Sequence, residues 1–128
     1  MIHNFYIIRP NGICIFHEKF GSLEEEPQSI AGFLTAISMF SKAIIGEDIK
    51  ILATENFKFI FRTYGKLTFV SFIDKLDKLD KMHQLLENIK NCFYQSFPDV
   101  ENELLSGNLR QFEKFKLDLK NIINSNFD

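Results

Sequence analysis

The chain has 128 residues, 45% of them hydrophobic and 25% charged, with a formal net charge of −2 at pH 7. That length suits a single domain over residues 1–128 with a real core, and the composition is that of a globular chain rather than a disordered one. A slightly acidic chain lacks the long-range attraction to phosphate on which nucleic-acid binding relies, so nucleic acid is excluded as the expected partner.

Taken in order, the opening MIHNFYIIRP has no basic leader and only a short apolar run, unlike a secretory signal. Residues 5–8 are apolar at consecutive positions, which predicts a strand covered on both faces. Arg9-Pro10-Asn11-Gly12 then carries turn residues, and residues 13–20 resume β-type side chains, so the two segments form a hairpin. His17 and Lys19 interrupt one parity of the second strand, which makes it a candidate edge. Leu23-Glu24-Glu25-Glu26-Pro27 leads into a helix, its carboxylates reading as capping or solvated groups beside a positive helix end.

Residues 29–45, SIAGFLTAISMFSKAII, are apolar almost all the way round a helix. At about 100° per residue, Ile30, Phe33, Ala36, Ile37, Phe40 and Ile44 form one broad face, expected to meet the sheet. Thr35, Ser38 and Lys42 make a narrow stripe opposite, flanked by Leu34 and Ile45 on one side and Met39 on the other. Such a helix packs against more than one layer or against another chain. Gly32 costs about 1 kcal/mol relative to Ala inside a helix, a cost either tolerated or explained by the close approach of another backbone.

Gly46 suits the position just past the helix end. Extended segments follow at residues 48–54, 58–63 and 67–73, joined by connections short enough only for antiparallel pairing. The last of them is apolar on both parities, so it is expected at the centre of the sheet. DKLDKLDK, residues 74–81, leads into a second helix with Leu76, Leu79, Leu86, Ile89, Phe93 and Phe97 at helical spacing, ended by Pro98. Asn108 is expected to cap a third helix, in which Leu109, Phe112, Phe115, Leu119, Ile122 and Ile123 repeat at three and four residues and the lysines face water.

Chemistry-bearing residues do not converge. His3, His17 and His83 are scattered without metal-ligand spacing. Cys14 and Cys92 stand apart with no neighbouring base and read as buried free thiols in a reducing compartment, the cytoplasm. No glycine-rich loop is built to cradle a phosphate. The expectation is no enzyme, no metal and no cofactor. No stretch reaches the roughly 20 apolar residues that cross a bilayer, so membrane contact is expected only indirectly or peripherally, through partners.

The order strand, strand, long apolar helix, three strands, helix, helix resembles the longin-like family: longin SNAREs, small adaptor-complex subunits, the signal-recognition-particle receptor and tethering-complex subunits such as sedlin. The likeness rests on FYIIRPNGICIFHEKF as the opening hairpin, SIAGFLTAISMFSKAII as the first helix and DIKILATENFKFIFRTYGKLTFVSFID as the meander. It implies an α+β fold, β-β-α-β-β-β-α-α, with a five-stranded antiparallel-rich sheet of order 2-1-5-4-3. One helix would lie on one face and two on the other. It further implies docking without catalysis, in membrane traffic and in complexes that regulate small GTPases. Unlike the longin SNAREs, the chain carries no downstream heptad region and no membrane anchor, so a free-standing subunit is expected. Because a strand comes first, longin is favoured over the related roadblock arrangement, which begins with a helix.

The leading functional expectation is thus a non-enzymatic interaction module of a trafficking or GTPase-regulating complex. A longin-like or identical chain would be its dimer partner, and a small GTPase a further one. Its surface is expected on the flank of the first helix around Leu34, Ser38, Met39 and Lys42, and on the edge strand holding Ile13, Ile15 and His17. The alternative is a small-ligand sensor of PAS or profilin-like shape, with its pocket between sheet and helix. Phe33 and Phe69 are expected to share one core between the first helix and the fifth strand.

Overall fold

The computed structural model describes residues 1–21, 26–100 and 112–127. The elements in chain order are β1 (Ile2–Ile8), β2 (Cys14–Lys19), α1 (Pro27–Ile44), β3 (Ile51–Ala53), β4 (Phe57–Tyr64), β5 (Leu67–Asp74), α2 (Leu79–Ser96) and α3 (Glu113–Phe127). The strands form one sheet of order β2-β1-β5-β4-β3, every neighbouring pair antiparallel. This is the α+β arrangement and strand order that the longin resemblance implies. Gly12, with φ +87°, takes the positive-φ position of the β1–β2 turn.

β1 and β5 are central because their side chains are apolar on both parities. Phe5, Ile7, Phe69 and Ile73 point to one face, into a core with Met82, Leu85, Leu86, Ile89 and Phe93 of α2 and Phe115, Leu119 and Ile123 of α3. Tyr6, Ile8 and Val70 point to the other, where they meet Ala31 and Leu34 of α1 together with Phe59 and Phe61 of β4. One helix therefore covers one face and two cover the other. The two-helix core is held by rings at close range: Phe93 lies 5.6 Å from Phe69 and 5.1 Å from Phe115, centroid to centroid, in edge-on geometry. Such pairs add about 0.5–1.5 kcal/mol each beyond the burial of their area.

Phe33 and Phe69 do not share a core. Phe69 is fully buried on the α2–α3 side, whereas Phe33 of α1 is 54% exposed. Strand parity accounts for the first half: in β5 it is Val70 that faces α1, so its neighbour Phe69 must face away. The second half reflects a different azimuth of α1, whose buried residues are Ala31, Leu34 and Ser41.

Other boundaries also move. β3 is confined to Ile51–Ala53, which pair with Ile60, Phe59 and Lys58 of β4. Leu76 lies ahead of α2 and is 95% exposed, so it is not part of the helical stripe. α2 ends at Ser96 with Phe97 as its C-cap, the non-helical residue that a following Pro98 favours. The expected cap at Asn108 lies outside the described residues.

Candidate interaction surface

α1 is fastened at both ends by bonds that reach beyond the helix. At its start the Glu26 carboxylate accepts from the backbone N–H groups of Gln28 (3.1 Å) and Ser29 (2.6 Å), the arrangement of an N-cap. The Ser29 hydroxyl first, and then these backbone bonds, favour the charged form and hold the Glu26 carboxyl below its ordinary pKa. Gln28 reaches the β1–β2 hairpin: Cys14 N–H donates to its Oε1 at 3.0 Å, and its Nε2 donates to the Gly12 carbonyl at 2.8 Å. At the other end Ser41 Oγ donates to the Glu47 carbonyl at 2.9 Å. Gly46, with φ +81°, closes the last turn by donating its N–H to the carbonyls of Ser41 and Lys42.

Held this way, α1 turns the small residues Ala31 and Ser41, with Leu34 between them, onto a sheet face built of large rings. Its bulkiest side chains are left outside: Met39 and Phe40 are each 67% exposed, Ile44 and Ile45 each 68%. Ala36 and Ala43 are exposed as well and fill the stripe between them. Gly32 sits on the same outer side with open space around it, so no backbone of this chain approaches it among the described residues.

Of the surface residues expected from sequence, Met39 and Lys42 are exposed and Ser38 is half-buried, but Leu34 is 2% exposed and belongs to the core. Phe33, Phe40 and Ile44 take its place outside. Sequence reasoning missed them because a helix apolar nearly all round gives no azimuth. The only signal was Ser41, whose alignment with Ala31 and Leu34 marks the side where a helix can approach closely.

On the β2 edge, Ile13 is half-exposed but Ile15 is buried in the two-helix core. A β-bulge is the reason. Ile7 pairs with Phe16 and Ile8 with Cys14, which leaves Ile15 as the extra residue and turns it inward beside Phe16. His17 is half-buried, stacked on the Tyr6 ring at 5.0 Å, with its Nε2 bonded to Asn4 Oδ1 at 3.0 Å. Burial lowers its pKa, so the imidazole is neutral at pH 7.

Beside the Thr35–Lys42 flank of α1 a groove of about 270 Å³ opens along the sheet. Its floor is Ile8, Leu34, Phe61 and Val70; Arg9, Lys42, Asp48, Thr35 and Ser38 stand around it, and Met39, Thr63 and Thr68 line it as well.

No family model and no curated protein matches the chain. Its fold is similar to that of the mammalian SRP receptor, with a TM-score of 0.63 at 13% identity over 98% of this chain and 94% of that one. The chain has the longin-like fold. A Roadblock/LC7 domain from Streptomyces avermitilis matches this longin-like chain with a TM-score of 0.55 at 8% identity, over 72% of this chain and 85% of that one. Gliding protein MglB from Thermus thermophilus matches with a TM-score of 0.51 at 15% identity, over 62% of this chain; the match spans only 65% of that protein. A structure of MglB with a tetrameric arrangement has a TM-score of 0.51 at 10% identity, over 98% of this chain and 80% of that one.

Within this fold both thiols are free and half-buried. Burial pushes the Cys14 thiol up to about 11, the opposite of what a nucleophile needs. Among the described residues no group of His, Cys, Asp and Glu is placed to hold a metal ion, and no helix is long and apolar enough to cross a membrane. The chemical potential of the surface lies in its apolar area.

Proposed function

We propose that this longin-like chain is a non-enzymatic protein-interaction module that pairs with a second copy of itself through the outer side of α1. The observation that carries the reading is the exposure of Phe33, Met39, Phe40, Ile44 and Ile45 on one helix. With an aromatic side chain offering about 200 Å² and the others somewhat less, those exposed fractions leave roughly 500–700 Å² of apolar surface. A monomer's largest patch is about 300–600 Å², and one side of a standard interface about 800 Å². The α1 stripe with its surroundings is therefore of interface size. Gly32, open on this side, lets a partner backbone come near. The tetrameric arrangement of MglB, a protein of similar fold, also favours self-association.

A place in a cytoplasmic complex that serves membrane traffic or regulates a small GTPase is the further part of the proposal, and rests on the longin resemblance. The β2 edge around Ile13 and His17 is a second surface, available to such a partner by strand addition.

Sedimentation over a range of concentrations tests the pairing. The wild-type chain is expected to dimerise, and Met39→Asp with Phe40→Asp to give a monomer with unchanged circular dichroism. A wild-type chain that stays monomeric at high concentration overturns the reading.

A further inference from the structure

The groove beside α1 lies on the flank opposite Phe33 and Ile44; it meets the proposed pairing surface only at Met39, which borders both. Its floor of Ile8, Leu34, Phe61 and Val70 is apolar and belongs to the wall between helix and sheet. At the rim stand two cations, Arg9 and Lys42, neither of which makes an ion pair with a described residue. Asp48 is the one acid there among the described residues, and it pairs with neither. Thr35 and Ser38 line the same space and offer hydroxyl groups as donors or acceptors.

We propose that this groove binds a small amphipathic monoanion, an unbranched apolar body that ends in one carboxylate. The charge count selects the head: two cations less one acid leave a single positive charge to be met. Arg9 can take a carboxylate through two parallel N–H bonds, while Lys42 adds a point charge. The floor selects the tail, because burying apolar surface against Ile8, Leu34, Phe61 and Val70 is favourable. Size selects against larger occupants. At about 270 Å³ the groove falls just below the ~300 Å³ where small-molecule sites begin, too little for a folded segment.

Decanoate below its micellar concentration, titrated into the full chain and followed by amide NMR, is the test. Expected are saturable shifts at Thr35, Ser38, Thr68 and Val70, with weaker binding of decanol. Arg9→Gln and Lys42→Gln should each weaken decanoate binding about three- to tenfold at low salt, less as salt screens the charges. Asp48→Asn should tighten it. All three positions are on the rim, so the fold is kept and loss of binding reads the site. Three results overturn the proposal: no saturable shift up to the solubility limit, binding indifferent to all three substitutions, or decanol bound as tightly as decanoate. Concentration-dependent shifts of Thr68 and Val70 on β5 without decanoate also overturn it, since the groove would then belong to a second copy of the chain.

Discussion

Gln28 binds Cys14 across the gap between α1 and the β1–β2 hairpin, its Oε1 accepting the Cys14 N–H at 3.0 Å while its Nε2 holds the Gly12 carbonyl at 2.8 Å. A single side-chain amide thus satisfies two backbone groups of another element. Gln28→Ala is expected to lower stability by about 1–2 kcal/mol, the net worth of two such bonds. Gln28→Glu should lose the half that donates to Gly12. Denaturant unfolding gives the magnitude, and faster hydrogen exchange at the Cys14 amide shows that the loss is local.

Adjacent residues of α1 should behave oppositely. Leu34 is buried, so Leu34→Ala should cost about 2–5 kcal/mol, a large part of the about 5–15 kcal/mol a domain has. Phe33 is more than half exposed, so Phe33→Ala in the monomer should change stability by no more than about 0.5 kcal/mol. Thermal melts of the two variants at low concentration check the contrast. Equal losses would mean that the azimuth of α1 is wrong.

His17 ties stability to pH. Its pKa in the fold lies below the ordinary 6.5 because burial disfavours the imidazolium. Between the two values the unfolded chain binds more protons, so stability rises with pH through that window. The contribution is complete above about 6.5 and declines as pH falls below it. Denaturation at pH 7.5 and at pH 5.5, with His17→Gln as the comparison, should show a smaller acid loss in the variant.

Cys14 should be slow to react. With its pKa pushed up to about 11 from 9.0, its thiolate is about a hundredfold scarcer than in the unfolded chain near pH 8. Alkylation followed by peptide mass analysis should show Cys14 labelled about a hundredfold more slowly than in denaturant. Rapid labelling in the native chain would mean that β2 opens at this edge.

What the sequence by itself determined is the order of the elements and which two strands lie at the centre of the sheet. The unbroken apolar run through Phe5, Tyr6, Ile7 and Ile8 needed cover on both faces, as did the segment around Phe69 and Val70, and only the two central strands have it. Gly12 and Gly46 marked the turn and the helix end, because positive φ is a local property that glycine tolerates. Tertiary structure alone decided the rest. The rotation of α1, with Leu34 in and Phe33 out, is set by Gln28 gripping the hairpin, by Ser41 reaching Glu47 and by small residues fitting over the sheet's rings. The bulge that hides Ile15 arises from how β2 pairs with β1, a register no single-strand pattern contains. The groove between Arg9, Lys42 and Asp48 exists because three segments distant in the chain end at one side of the sheet. Periodicity reports which side chains share a face, while the direction that face takes depends on bonds to residues elsewhere in the chain.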